Sequence, residues 1–310
     1  MKRTTWIAAS FAAVSLVSCA KAEIEQTDEE GIMRKLIFNT TTFSQEELTT
    51  RADGKNDGKN VREAKCSKLD FVMYDAEGDV FFSTEQDSAT TVNFGSISIN
   101  EVPYGRYQIV AIAHNAKVHA SISSSSFANF NGSVPETFCK YYVLTVDRET
   151  PASQSLELKR IVGMFSIKTT DTMPSDVQSF HLQTTGGYTS FNPQTGLGVA
   201  DMTEEGKTEG SKTEEGKSTV RNIDFDNVTS RIGKTFDPFF YTFLASEESS
   251  ISVTATAKDK GGKALFTYQF SNVPMKINHQ TTYTGRFFSN GLSSSFTVDD
   301  SWGDNINREF

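Results

Sequence analysis

The sequence predicts an all-β protein built from two tandem β-sandwich domains. Phenylalanine occurs 24 times and proline only 7 times, and no window sustains the i, i+3, i+4, i+7 apolar spacing of an amphipathic helix. Short apolar or alternating runs are instead separated by turn residues, which is typical of sandwiches rather than of α/β layers. The length of 310 residues exceeds one ordinary domain and suits two.

The first half contains seven predicted strands. A polar stretch at 44–65 separates the first two and indicates a linker or a long loop. Asp75-Ala76-Glu77-Gly78 has the composition of a hairpin turn. Pro103-Tyr104-Gly105 turns the chain into a continuous apolar run, which we expect to be buried on both faces. The Ser/Asn-rich segment 118–134 predicts irregular structure. The predicted strands are 32–43, 69–74, 80–84, 92–99, 107–113, 138–146 and 155–158.

The second half repeats this pattern with eight more predicted strands. Its one low-complexity feature is the pentapeptide Thr-Glu-Glu-Gly-Lys, which occurs at 203–207 and again at 213–217. This polar tract cannot bury apolar surface and predicts a mobile loop. The strands are expected at 162–168, 177–183, 220–225, 239–244, 251–257, 264–270, 281–288 and 294–298.

The N-terminus has the pattern of a bacterial lipoprotein signal peptide. Lys2 and Arg3 precede an apolar stretch at 6–17, which is too short to span a bilayer. The stretch ends in Leu16-Val17-Ser18-Cys19, which resembles a lipobox. This resemblance implies that Cys19 becomes the first mature residue and carries a diacylglycerol thioether and an acylated amine, an effectively permanent anchor. The alternative is a plain signal peptide with a chance cysteine.

The expected division is a signal peptide at 1–18, a tether at 19–31, and sandwich domains at 32–158 and 159–310. Loss of Lys2 and Arg3 changes the net charge from −9 to −11, which argues against nucleic acid as a partner. Cys66 and Cys139 then remain as an even pair in an oxidising compartment, so a disulfide is one hypothesis and two unpaired buried thiols the other.

Patterns of catalysis are weak, and the sequence predicts neither an enzyme nor a cofactor or metal site. Gly206-Lys207-Thr208 lacks the first glycine of a phosphate loop. The four histidines share no metal-ligand spacing, so only the fold could bring them together. We expect a hydrogen-bonded structural role for His114, which ends a buried strand. The remaining histidines are His119, His181 and His279.

Several stretches resemble the FimB-type fimbrial anchor lipoproteins of Bacteroides-group bacteria. The first two are residues 69–78, a strand ending in an Asp-x-x-Gly turn, and residues 102–114, a Pro-x-Gly-x-Tyr corner that begins a buried strand. Residues 158–163 resemble the family's crossing between domains, 188–196 a hairpin of its second domain, and 278–287 its penultimate strand. Their order and spacing cover most of the chain after Cys19.

This resemblance implies two transthyretin-like or Ig-like sandwiches and an anchor subunit at the base of a fimbria. Such a subunit is held to the outer membrane by lipid, is surface-exposed, contacts the major fimbrial shaft subunit, and supports adhesion and fibre length control. The physical basis is strand addition, in which a sheet edge or groove accepts a β-strand from a neighbouring subunit. A tip or accessory subunit is an alternative position within the same family.

Two segments are candidates for strand exchange. Cleavage after Arg51 by a trypsin-like protease would release the strand at 32–43, although an anchor need not be opened and the cut would also threaten the lipid attachment. The alternative is that Arg51 is a surface arginine. The C-terminal segment 292–310 is either donated to the next subunit or folded into its own domain.

A second hypothesis is a surface lipoprotein that binds glycan. Its signature would be exposed aromatic rings that stack on sugars, and Tyr104, Tyr188 and Trp302 are the candidates. Aromatic residues of a sandwich more often lie in the core, so the fimbrial interpretation is preferred.

Overall fold

The computed structural model describes residues 33–43, 66–200, 220–289 and 297–299. Strands and a 3-10 turn at Thr229–Arg231 are the only regular elements of this described part, so the all-β prediction is confirmed. No helix in these ranges could cross a membrane. The signal peptide, the tether, the linker at 44–65 and the repeated tract at 203–217 lie outside the described residues.

The strands are numbered β1 to β19 in chain order. Those of the first half are β1 (Met33–Phe43), β2 (Lys68–Tyr74), β3 (Val80–Asp87), β4 (Ser96–Pro103), β5 (Gly105–His114), β6 (Ser121–Ser124), β7 (Phe127–Asn129), β8 (Thr137–Val146) and β9 (Ser153–Arg160). Those of the second half are β10 (Gly163–Thr169), β11 (Ser179–Thr185), β12 (Ser190–Asn192), β13 (Leu197–Val199), β14 (Val220–Phe225), β15 (Phe239–Thr242), β16 (Glu248–Lys258), β17 (Ala264–Lys276), β18 (Gln280–Gly285) and β19 (Thr297–Asp299).

The first sandwich is a single hydrogen-bonded sheet that folds over its own core. The strand order is β3-β2-β5-β8-β9-β1-β4. β8 and β9 pair through only two residue pairs, Phe138 with Arg160 and Cys139 with Lys159. One core cluster contains inward residues of β1, β4 and β9 together with those of β2, β5 and β8. The sheet therefore forms two facing layers that turn at the short β8–β9 junction.

β5 is the central strand of this sandwich and is buried on both faces, as its apolar run predicts. Tyr107 and Ile109 belong to the first core, whereas Val110 and Ile112 belong to a different cluster on the opposite face. This division follows from the two-residue period of side chains in a strand. The sheet consequently has a third layer packed on its outer side.

Both predicted turns of the first half are present. In the β2–β3 turn, the Asp75 Oδ1 atom accepts hydrogen bonds from the backbone N–H groups of Glu77 and Asp79, and Gly78 has a φ of 91°. Such a positive φ strains any residue with a Cβ atom. At the β4–β5 corner, the Tyr107 hydroxyl donates to the carbonyl oxygen of Pro103 at 3.0 Å.

The second sandwich pairs two four-stranded sheets, ordered β15-β10-β18-β19 and β14-β11-β16-β17. Its core contains Phe165 and Ile167 of β10 against Phe180 of β11 and Val253 of β16. β18 pairs in parallel with β10 over six residue pairs and antiparallel with β19 over three. The C-terminal strand is thus hydrogen bonded within its own sandwich.

A third core cluster connects the two sandwiches, and the sequence did not predict it. The outer face of β5 packs there against a small sheet ordered β13-β12-β7-β6. Rings of Phe130, Phe191 and Phe243 stack in this cluster, and the centroids of Phe191 and Phe243 are 4.4 Å apart. Because strands of both halves share this core, the division into domains at 158/159 stays a prediction.

Two expectations about individual elements were wrong. Segment 118–134 is not irregular throughout, because it contains β6 and β7. The strand expected at 92–99 begins instead at Ser96, and Val92 is 96% exposed in the turn before it. The hairpin expected at 188–196 is present as β12 and β13.

Candidate functional site

β1 is the segment that follows the proposed lipid attachment, and it lies in the interior of a sheet. Met33 begins this strand 14 residues after Cys19. β1 pairs antiparallel with β4 and in parallel with β9. A strand bonded on both sides can leave the sheet only if two ladders of backbone hydrogen bonds break.

The side chains of β1 fix it further. Leu36 and Phe38 are fully buried, and the ring centroid of Phe38 lies 4.9 Å from that of Phe71 in the facing layer. Burial of one such side chain contributes about 1.5–3 kcal/mol. We use the term β1 seat for the two strands that pair with β1, β4 and β9, together with the core against which its side chains pack. It is a groove that accepts one strand with two large apolar side chains.

Three residues from the sequence predictions lie outside the described part of the chain: Cys19, Arg51 and Trp302. Lipidation at Cys19 and cleavage after Arg51 therefore stay predictions. By sequence, Arg51 follows the end of β1 by eight residues. Cleavage there would leave β1 joined to the rest of the chain only through the contacts of its seat.

The possible disulfide between Cys66 and Cys139 is not formed in the structure, where both thiols are free. Cys66 packs against the core of the first sandwich, whereas Cys139 lies in the third core cluster. The two side chains are thus on opposite faces of the sheet. Burial is the main cause that raises the pKa of each thiol to about 12, and the Cys139 Sγ atom lies 3.7 Å from the carbonyl oxygen of Pro193.

Tyr104 and Tyr188 are half-buried, and each packs against a core cluster, Tyr104 against the first sandwich and Tyr188 against the third cluster. The Tyr188 backbone also exchanges hydrogen bonds with Phe243. Both rings thus contribute to packing. The sugar-stacking role that the sequence suggested for these two residues gains no support from their positions.

The fold brings Asp70, His114 and His119 together, with ligand atoms within 4.8 Å of one another. The Asp70 carboxylate contacts the His114 Nε2 atom at 2.8 Å and the His119 Nδ1 atom at 2.5 Å, and it accepts the Ala120 N–H at 3.0 Å. Asp70 and His114 are almost fully buried. Asp70 interrupts an apolar strand, and this is a weak signal by which the cluster could have been predicted.

The hydrogen bonds of this cluster favour a structural role over metal binding. The Ala116 N–H donates to the His114 Nδ1 atom at 3.1 Å, so the ring proton of neutral His114 is on Nε2 and donates to Asp70. The Nδ1 lone pair of His114 is then engaged by the Ala116 N–H, and Nε2 carries the proton, so neither nitrogen has a lone pair free for a metal. The cluster instead holds segment 116–120 against the sheet, which agrees with the structural role expected for His114.

A second polar arrangement, Ser179, His181 and Asp224, was missed by the sequence analysis. The His181 Nδ1 atom lies 2.5 Å from an Asp224 oxygen, and its Nε2 atom lies 3.0 Å from the Ser179 hydroxyl. His181 and Asp224 are paired residues of β11 and β14. Half of the Asp224 side chain is exposed, so the arrangement is a cross-strand hydrogen-bonded pair on the outer face of the sheet.

The architecture defines an all-β protein of two sandwiches joined through a shared core. Residues 70–309 match the model of a family of unknown function, DUF6562, and the chain belongs to that family. No curated protein matches the sequence.

Solved structures of three bacterial proteins are similar in outline. A candidate adhesin from Bacteroides thetaiotaomicron aligns with a TM-score of 0.49 at 8% identity, over 90% of this chain and 99% of that one. A fimbrial assembly protein from Parabacteroides distasonis aligns with a TM-score of 0.42 at 11% identity, over 87% of this chain and 96% of that one. The fimbrial anchor protein Mfa2 from Porphyromonas gingivalis aligns with a TM-score of 0.40 at 11% identity, over 90% of this chain and 100% of that one.

Proposed function

We propose that this protein is a lipid-anchored minor subunit of a fimbria, which fixes the fibre to the outer membrane through acyl chains on Cys19. The observation that carries the proposal is the position of β1, an interior strand that begins 14 residues after Cys19. Force on the fibre would load β1 in shear along two ladders of hydrogen bonds and two buried side chains. This is a mechanically suitable way to join a lipid tether to a sandwich.

The same position supports an intact chain. Cleavage after Arg51 would leave the lipid and β1 attached to the body by non-covalent contacts alone, which is a disadvantage for an anchor. The mature protein is therefore proposed to keep its own β1. FimB-type membership and attachment to a major shaft subunit are part of the proposal.

Contact with the shaft subunit is proposed to occur by strand addition, with the C-terminal segment 292–310 as the candidate donor. Its described strand, β19, pairs with β18 over three residues, whereas β10 pairs with the other side of β18 over six. A short strand at the edge of a sheet is easier to exchange than an interior strand.

Cys19→Ala tests the anchor. The variant should move from the membrane fraction to the soluble fraction, and fibres of the cell should be shed, while Cys66→Ala should remain in the membrane. Mass spectrometry of the native protein should find an acylated Cys19 at its first residue and no cut after Arg51. An unmodified N-terminus on protein that is free in the medium contradicts the proposal.

The partner is tested separately. Purified protein that retains residues 292–310 should capture the major shaft subunit, and a variant truncated at residue 291 should not. Capture that is unchanged by the truncation would exclude the C-terminal segment as the donor.

A further inference from the structure

A cleft of about 1120 Å³ lies where the two sandwiches meet. Its lining comes from loops 115–118 and 130–136 of the first half and from β14 and β15 of the second. A cleft of this volume is large enough for a ligand of several rings. None of the roles proposed above uses it.

One side of the cleft presents aromatic rings. Phe239 and Tyr241 alternate along β15 and therefore share a face. Their centroids are 5.7 Å apart with an interplanar angle of 79°, so each ring holds the other in place. Phe239 is 37% exposed, a large value for a phenylalanine in a strand. An exposed, fixed ring is a surface on which the apolar face of a sugar ring can stack.

The loops of the first half that line the cleft present uncharged polar groups. Asn115, Asn131 and Ser133 are exposed, and no hydrogen bond of the described residues engages their side chains. Amide and hydroxyl groups both donate and accept, as sugar hydroxyls require.

The charges of the cleft balance. Lys117 and Arg221 line it together with Glu136 and Asp224. The protein as a whole carries a net charge of −9. These charges favour a neutral ligand and disfavour a polyanion.

We propose that this cleft binds a neutral oligosaccharide, with one sugar ring stacked on Phe239 and hydroxyl groups bonded to Asn131. The ligand class goes beyond the anchoring role. It would give the base of the fibre, or the cell surface around it, a site for a polysaccharide.

Calorimetric titration with four neutral hexasaccharides tests the proposal: those of mannose, of α-linked glucose, of β-linked glucose and of xylose. At least one should bind, and a heparin hexasaccharide should bind at least tenfold more weakly. Phe239→Ala should weaken binding at least tenfold, and Asn131→Ala should weaken it measurably. The matched control is Val143→Ala, since Val143 is 38% exposed on β8 and should leave binding unchanged.

Phe239→Trp keeps an aromatic face and should therefore retain binding. This second variant shows whether weaker binding by Phe239→Ala comes from loss of the ring surface or from misfolding. The proposal is overturned if none of the neutral hexasaccharides binds, or if Phe239→Ala binds as the unaltered protein does. Either result leaves the membrane test of Cys19 unaffected, so the two proposals fail separately.

Discussion

His114 and Asp70, which are 44 residues apart, are joined by a hydrogen bond of 2.8 Å between two almost fully buried side chains. The bond connects the end of β5 to the start of β2, and the same carboxylate holds His119 and the backbone of Ala120. One buried acidic group thereby fixes both the sheet and the loop that leaves it.

Asp70→Asn should destabilise the protein by about 2–4 kcal/mol, because an amide offers one acceptor oxygen where the carboxylate serves three donors. Urea unfolding, monitored by far-UV circular dichroism, measures the change in the free energy of unfolding. Glu85→Gln is the control. The Glu85 side chain is 64% exposed beside His119, so this substitution should change the free energy of unfolding by less than about 0.5 kcal/mol. Equal effects of the two substitutions would refute the structural role of the cluster.

Phe38→Ala should cost about 3–5 kcal/mol, since it removes a fully buried ring from the β1 seat and leaves a cavity. Thermal unfolding measures the loss, and limited proteolysis should release β1 faster. Val92→Ala, at a side chain that is 96% exposed, should have an effect within about 0.5 kcal/mol. A Phe38→Ala variant as stable as the unaltered protein would show that the Phe38 ring does not hold β1 in its seat.

Neither Cys66 nor Cys139 should react with iodoacetamide at pH 8 until the protein is unfolded. Burial raises the pKa of both thiols to about 12, so almost none of the reactive thiolate is present. Peptide mapping by mass spectrometry distinguishes these residues from Cys19. A bridged peptide containing Cys66 and Cys139 would contradict the free thiols.

The same thiols predict how stability depends on alkaline pH. The pKa of each is higher in the folded protein than the value of about 8.5 expected in the unfolded chain. The contribution of the two thiols to the free energy of unfolding is complete below pH about 8.5 and is lost as the pH rises towards 12. Cys66→Ser combined with Cys139→Ala should flatten this part of the stability profile in denaturation measured from pH 8 to 11.

Asp171→Ala should loosen the chain after β18. The carboxylate of Asp171 accepts the backbone N–H groups of Phe287 and Phe288, each at 2.8 Å, and hydrogen bonds to a charged group contribute about 1.5–3 kcal/mol. Hydrogen exchange at 287–288 should accelerate, while exchange in β5 should be unchanged. Uniform acceleration along the chain would instead indicate global destabilisation.

Local features of the fold were predictable, whereas long-range ones were not. The Asp75–Gly78 turn and the double burial of β5 depend on residues adjacent in sequence, and both predictions are confirmed. Val92 has a β-branched side chain that favours a strand, but the residues around it form a turn, so the strand begins only at Ser96. The third core cluster depends on contacts between Phe130 and Phe243, which no periodicity reveals.

The candidate sites show the same limit. The lipobox-like pattern before Cys19 could be recognised in the sequence because its residues are contiguous, and lipidation there stays a prediction. The Asp70 cluster was visible only as a polar residue in an apolar strand, since its partners are 44 and 49 residues away. The cleft is formed by four separate segments, and its exposed Phe239 belongs to a run that sequence alone assigns to the core.

The position of β1 also determines when the first sandwich can be completed. Its parallel partner, β9, ends at Arg160, so more than a hundred residues must be synthesised after β1 before its second neighbour exists. Contacts of such large sequence separation form slowly. The first described strand to be synthesised is therefore among the last to be seated in the first sandwich.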